Sequence, residues 1–297
     1  MKHELSILIP TYNGICLQLV RSLCRQAEAV EGLDYEIIVA DDGSTDEACV
    51  NANRAIGTLP HSLYIIRSAN SGRAAIRNFL AQQARYQWLL FIDSDMTIRH
   101  DDYLHNYLAC DGEVVYGGYT VGEGPQGNLR HIYEQEAAPR HTATERRKHP
   151  YQDFHTANFL IRRELMLAHP FDERFRHYGY EDVLLGKVIR QAGIAIAHID
   201  NPVGFDTFED NASFVSKTEE GLLTLYEFRH ELRGYNSLLT LVNGIHIGAV
   251  RSAIRLWHRL LGPLERRNLC GSHPRLNVFK LYKLGYYLSL TKKQEQL

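Results

Sequence analysis

The chain of 297 residues has no long apolar run. No stretch reaches the ~18 consecutive apolar residues expected of a spanning helix. The longest uncharged stretch, 234–250, is interrupted by Asn236, Ser237, Asn243 and His246, which predicts a buried or interfacial helix. The first ten residues enter a short strand and lack the h-region of a secretory signal, so a cytoplasmic protein is expected. Cysteine is scarce and unpatterned: Cys16, Cys24, Cys49, Cys110 and Cys270 are odd in number and form no C-x-x-C pair. That excludes a disulfide framework or a zinc knuckle and fits a reduced compartment. Two phosphate-cradling signatures are also missing, G-x-G-x-x-G after the first strand and G-x-x-x-x-G-K-[ST]. Dinucleotide dehydrogenases and P-loop phosphotransferases are thereby disfavoured.

What is present is an ordinary globular composition, 44% hydrophobic, with ample material for a core. The net charge of −2 hides an asymmetry, because residues 236–297 carry ten Lys or Arg against Glu265 and Glu295. The tail is therefore +8 and residues 1–235 are −10, which marks a boundary between a body (1–235) and a basic helical extension (236–297). Trp257, Tyr282, Tyr286 and Tyr287 are interleaved with the tail's cations. Such a tail suits an anionic leaflet, and docking on the acidic body or on a second subunit stays open. Nucleic acid is not expected, since these aromatics follow helical patterns and form no stacking platform.

Over the first hundred residues strand-like runs (5–10, 35–41, 63–67, 88–93) alternate with helical ones (15–29, 47–56, 72–85). This spacing predicts βαβ units and a mainly parallel sheet with right-handed crossovers. A strand at 113–119 precedes a polar segment, 122–150, which reads as a flexible loop or lid. Beyond it, strands are expected at 158–162 and 194–199, and helices at 181–191, 214–233, 238–261 and 276–290. No internal repeat is visible.

The chemistry gathers at strand ends. The first ends in Pro10-Thr11-Tyr12-Asn13-Gly14, the second in Asp41-Asp42-Gly43-Ser44, and the fourth in Asp93-Ser94-Asp95. Alternation along a strand would put Asp93 and Asp95 on one face, as two hard oxygen donors for a divalent cation. The carboxyl edge of an open α/β sheet is also where ligands collect. In Asn70-Ser71-Gly72-Arg73-Ala74-Ala75-Ile76-Arg77, Gly72 opens a helix whose free N–H groups favour an anion. Arg73 and Arg77, four apart, share a face that suits a diphosphate. Each piece taken alone is also ordinary turn or surface chemistry.

Together, in this order, these four motifs resemble glycosyltransferase family 2, inverting nucleotide-sugar-dependent enzymes with the Rossmann-like GT-A fold, over about residues 4–235. The resemblance implies a nucleotide-sugar donor, usually UDP-linked, held by Pro10, Thr11, Tyr12, Asn70, Arg73, Arg77, Asp93, Ser94 and Asp95. Asp93 and Asp95 would serve a divalent metal (Mn²⁺ or Mg²⁺) and the diphosphate, Tyr12 the base, and Asp41 or Asp42 a hydrogen bond to that base. Downstream, Asn158 is similar to the family's acceptor-side segment. Glu181-Asp182 is similar to its catalytic pair, with Asp182 as general base and Glu181 placing it.

The pattern departs where relatives carry a late metal-ligand histidine a few residues after an Asn-Pro. Phe205 and Asp206 occupy that neighbourhood, and His198 is the nearest substitute. The Gln-x-x-Arg-Trp motif and membrane spans of processive synthases are absent. The resemblance thus implies non-processive transfer of a hexosyl or N-acetylhexosaminyl group to a glycan or lipid-linked acceptor, as in cell-surface polysaccharide biosynthesis, with the tail peripheral at the cytoplasmic face of the inner membrane. The rival class is a non-catalytic nucleotide-sugar sensor or scaffold of the same fold.

Overall fold

The computed structural model of the chain describes residues 1–294. Ten strands are formed among the described residues: β1 Glu4–Thr11, β2 Asp34–Asp41, β3 Ser62–Ile66, β4 Trp88–Ile92, β5 Met96–Ile98, β6 Val114–Tyr116, β7 Tyr119–Val121, β8 Asn158–Arg162, β9 Ile196–His198 and β10 Val203–Phe205. Seven of them build the central sheet in the order β3-β2-β1-β4-β8-β6-β9. The β3, β2, β1, β4 half is parallel, β8 runs antiparallel to both its neighbours, and β9 is parallel to β6. β5, β10 and β7 form a small second sheet.

The parallel half forms because its strands are near-continuous apolar runs that can be buried on both faces. Leu5, Ile7 and Ile9 of β1 pack with Leu90 and Ile92 of β4 in one layer; Leu8, Leu89 and Phe91 join the other. The Leu17–Glu28 helix lies in the first layer and the Arg73–Gln83 helix in the second. Phe91 stacks on Phe159 of β8 with centroids 4.9 Å apart, which ties the parallel and antiparallel halves together.

The polar segment 122–150 is not a flexible loop. It folds as a helix, Leu129–Ala137, a 3-10 turn, Ala138–Arg140, and a short helix, Ala143–Arg146. Asn128 caps the first by accepting from His131 N (2.8 Å). Buried Arg146 closes the segment by donating to the carbonyls of His141, Gly117 and Ile199. Polar side chains with polar partners order this stretch, so it shows no apolar period.

After the Asn211–Glu227 helix come three more, Ser237–Gly244, Gly248–Leu269 and Leu276–Gln294. They dock on the body: Leu239, Val242, Tyr287 and Leu288 enter the main core, and Leu269, Phe279 and Tyr282 pack with Leu129, Phe214 and Val215. No helix among the described residues is long and apolar enough to cross a membrane.

Asn158, expected on the acceptor side, is instead a structural knot at 0% exposure. Its Oδ1 accepts from the hydroxyls of Tyr103 (2.6 Å) and Tyr107 (2.7 Å), and its Nδ2 donates to the carbonyls of Gly118 (2.7 Å) and Asn201 (3.0 Å). Every hydrogen-bonding position that an acceptor would need is used. Asn158→Ala would strand several buried polar groups and is expected to destabilise the protein by about 3 kcal/mol in urea unfolding; a loss below about 1 kcal/mol would refute this role.

Candidate active site

β4 ends at Ile92, and Asp93 to Met96 form a turn closed by Met96 N donating to Asp93 O (3.2 Å). Asp93 and Asp95 therefore do not share a strand face, and the turn gives them different surroundings. Asp93 is consumed by arginines: its Oδ1 lies 2.5 Å from Arg77 Nη2 and its Oδ2 lies 3.5 Å from Arg73 Nη2. Asp95 is exposed and makes no ion pair among the described residues. Desolvation by the cleft walls and the neighbouring Asp93 charge raise its pKa, against the pull of Arg73. Of the expected pair, Asp95 is the carboxylate open to a cation.

The two arginines also divide. Arg77 is 1% exposed; besides Asp93 it reaches Glu181 Oε1 (3.6 Å) and donates to Arg73 O (3.1 Å). It is therefore spent on the fold and cannot hold a diphosphate. Arg73 keeps 45% of its side chain exposed while its Nε sits 3.2 Å from Glu181 Oε1. Burial opposes its charge, but Glu181 and Asp93 outweigh burial and raise its pKa. Just ahead of this helix, Asp42 Oδ2 accepts from the N–H groups of Ser71 (3.0 Å) and Gly72 (2.9 Å), so a carboxylate of the protein itself holds the loop that leads into it. Gly72 has φ 91°, and a Cβ there would meet the Arg176 backbone at 3.1 Å; only glycine fits this entry without strain.

Asp41 is equally committed, with Oδ1 accepting from Ser44 N (2.7 Å) and Oδ2 from the Tyr64 hydroxyl (2.6 Å). Neither Asp41 nor Asp42 is exposed, so the expected contact to a base has no free carboxylate here. Thr11 is buried and donates to Gly14 O (3.1 Å). Pro10 lies half-buried in β1, Asn70 Oδ1 accepts from Gly72 N (3.1 Å), and Ser94 belongs to the turn. Tyr12, 47% exposed, is the ring this edge leaves open. His198 is not brought to the acidic cluster. Its Nδ1 accepts from Arg146 Nε (3.2 Å) and its Nε2 donates to Pro150 O (2.9 Å). Burial, with Arg146 and Arg147 alongside, pushes its pKa down to about 4. Both nitrogens being used, it has none left for a metal.

Glu181 and Asp182 open the Glu181–Gln191 helix after two left-handed residues, Gly179 (φ 95°) and Tyr180 (φ 72°). A tyrosine there is strained and has to be held by its surroundings. Buried Glu181 is raised in pKa by desolvation, while Arg73 pulls it down and Asp182 pushes it up. Asp182 faces the other way: its Oδ1 accepts from Val183 N (2.7 Å) and its Oδ2 lies 3.0 Å from His155 Nδ1. Desolvation opposes the charge of Asp182, but the His155 hydrogen bond and charge outweigh it and lower the pKa; His155 is raised in turn against its own burial. His155 was not among the residues expected at the site. The antiparallel register Ile92↔Asn158, with Asp93 N donating to Ala157 O (3.1 Å), brings it beside the β4 end.

Arg73, Asp93, Asp95, His155, Glu181 and Asp182 line one cleft of about 390 Å³, which also includes Tyr119, Arg130, Tyr133, His141, Tyr178, Lys217, Phe279 and Lys283; Tyr12, Asp41, Asp42, Asn70, Arg77 and His198 lie outside it. The Leu129–Ala137 helix, His141 and the C-terminal Leu276–Gln294 helix are thus part of its wall. Sequence reading named none of these eight as site residues. Among the described residues no three His, Cys, Asp or Glu side chains converge as a ready-made metal cage.

Comparison with known proteins agrees with this architecture. The Glycosyl transferase family 2 profile matches residues 6–168. Validoxylamine A glucosyltransferase of Streptomyces hygroscopicus subsp. jinggangensis is 30% identical over 224 residues, covering 64% of this chain and 52% of that protein. Poly(ribitol-phosphate) beta-glucosyltransferase of Bacillus spizizenii is 36% identical over 107 residues, or 35% of this chain and 17% of that one. The chain thus spans about half or less of these two curated relatives. Among solved structures, mannosyltransferase PcManGT from Pyrobaculum calidifontis, in complex with GDP-Man and Mn²⁺, aligns with a TM-score of 0.61 at 16% identity over 98% of this chain and 86% of that one. S. aureus TarS 1-349 in complex with UDP-GlcNAc aligns at 0.54 and 17% identity, over 98% and 92%. With the family profile covering more than half of its length, the chain belongs to glycosyl transferase family 2 and has the GT-A fold.

Proposed function

We propose that the protein is an inverting glycosyltransferase that moves a sugar from a nucleotide donor to a hydroxyl of a glycan or lipid-linked acceptor. The carrying observation is the single cleft in which Asp95, unpaired, and Asp182, paired to His155, are both presented. Asp182 takes the proton from the acceptor hydroxyl. The acceptor oxygen then bonds to the anomeric carbon from the face opposite the diphosphate, whose C–O bond breaks, so the configuration inverts. Arg73, exposed at the same wall, stabilises the departing phosphates. A sensor without turnover would have no use for a carboxylate kept ionised beside an open cleft.

The donor sets of the site suit a hard divalent cation. Asp95 would hold it, with Asp93 kept alongside by its arginines, and oxygens of the diphosphate and water would complete the shell. Bound there, a Mg²⁺ or Mn²⁺ ion would supply charge neutralisation for the leaving group. The metal-bearing GT-A neighbour and the nucleotide-sugar complexes support this reading. Tyr12 is the residue open to a base, with UDP as the leading candidate nucleotide.

A second feature supports action on a lipid-linked acceptor. Val250, Leu256, Trp257, Leu260 and Leu264 are exposed along the Gly248–Leu269 helix, with Ile247 exposed at its N-cap, and exposed Arg259 and Arg267 lie on the same helix. Apolar anchors flanked by cations suit the surface of an anionic leaflet, at the cytoplasmic face.

Three measurements follow. Asp182→Asn should lower kcat by about 10²–10⁴-fold with UDP affinity nearly unchanged, whereas full activity would sink the base assignment. In a pH series of kcat/KM, His155→Asn should move the acidic limb upward. The sign follows from the pair: the lowered pKa keeps Asp182 ionised as pH falls, and loss of His155 removes that pull. An unmoved limb would break the link. For the membrane face, the protein should sediment with phosphatidylglycerol vesicles and not with pure phosphatidylcholine, and Trp257→Ser with Leu260→Ser should abolish sedimentation. Binding that survives the double substitution would exclude this face.

A further inference from the structure

The cleft is electrically polar. Its strand-end wall carries Asp93, Asp95, Glu181 and Asp182, and its helical wall carries Arg130, Lys217 and Lys283. Two of these three cations already have a carboxylate. Arg130 Nη2 lies 2.8 Å from Glu134 Oε1, and Lys217 Nζ lies 3.2 Å from Glu209 Oε1.

Lys283 has none. It lies on the Leu276–Gln294 helix and is only partly exposed; among the described residues it makes no ion pair and no hydrogen bond. Its ammonium stands 4.7 Å from the ring centroids of both Tyr133 and Phe279. Two ring faces attract a cation but accept none of its three N–H bonds in the way an oxygen does. Glu136, the acid whose charge acts on it, is spent on Lys280 at 2.7 Å. Burial first, and Lys280 second, lower the Lys283 pKa to about 8, with Glu136 pulling the other way. It is still mainly charged at neutral pH. A half-desolvated ammonium with unfilled donors, lining the cavity that holds the base, is costly unless an anion arrives to offset it.

We propose that Lys283 is the seat for an oxyanion borne by the acceptor, a phosphate or a carboxylate, which is held at the helical wall while the acceptor's hydroxyl is turned toward Asp182. The role rests on reading the cleft as a transfer site; the anion site itself does not. On this account the C-terminal helices are part of the acceptor site. They add an uncommitted cation, whereas Arg73, the cation of the strand-end wall, is shared with Asp93 and Glu181.

The test uses the whole protein with its lysines reductively ¹³C-methylated, a change that keeps their charge. The Lys283 signal is identified by its disappearance in Lys283→Arg. Inorganic phosphate and glucuronate are titrated separately at constant ionic strength without nucleotide. A saturable shift of the Lys283 signal, several-fold larger than that of solvent-exposed Lys148, is expected with at least one ligand, and the tighter of the two identifies the acceptor's anionic class. A Lys283 signal that moves no more than Lys148 with either would overturn the proposal. UDP is titrated in a separate sample with Mn²⁺ present and followed by calorimetry, to report on the donor edge. Silence there, with phosphate saturating Lys283, would fault the transferase reading and leave the anion site standing. The reverse pattern would remove the anion site alone.

Discussion

The structure turns on one buried guanidinium. Arg77 is 1% exposed, and an arginine does not shed its charge in a protein. Its position is tolerable only because Asp93 reaches it from the end of β4 and Glu181 from the first turn of the Glu181–Gln191 helix. Removing one partner from such a buried cluster typically costs about 3–5 kcal/mol, so the two elements are locked to a common point. That lock sets how the end of β4 meets the first turn of the Glu181–Gln191 helix. It also assigns the acids: with Asp93 and Glu181 committed to arginine, Asp95 is left for the cleft and Asp182 for His155.

The parallel half of this arrangement could be read from the sequence, because strands buried on both faces are continuous apolar runs and their ends stand out as Pro10-Thr11-Tyr12, Asp41-Asp42 and Asp93-Ser94-Asp95. The roles within those ends could not. A spacing of four puts Arg73 and Arg77 on one side of a helix, yet a small rotation buries Arg77 and leaves Arg73 open. Asp41, Asp42 and Asn158 have the composition of ligand contacts but are used to hold turns and to join distant loops. The chain chemistry of a satisfied carboxylate and a free one is the same until the partners are placed. His155 was hidden for a different reason: only the antiparallel pairing of β4 with β8 brings it to the site, and pairing direction leaves no local signal.

The later part of the chain shows the same limit. Segment 122–150 orders itself through capped short helices and through Arg146, whose partners are backbone carbonyls and His198, so hydropathy reads it as loop. The tail's excess of cations pointed to an anionic counterpart, with lipid, the acidic body or a second subunit left open. Part of that charge meets the body directly, as in Arg266 with Glu219 (2.8 Å) and Lys280 with Glu136, and Lys283 is carried into the cleft itself. The helices therefore complete a cavity whose other wall is built by the β-strand ends.

The central claim is that Asp95 is the open carboxylate through which a divalent cation and a nucleotide sugar are held together. A thermal-shift panel of nucleotide sugars, run with Mn²⁺, with Mg²⁺ and with EDTA on the wild type and on Asp95→Asn, tests it most directly. The account predicts that at least one UDP-sugar raises the Tm of the wild type only when metal is present, and that the substitution removes this gain. Equal stabilisation in EDTA, or a gain that survives Asp95→Asn, would contradict it.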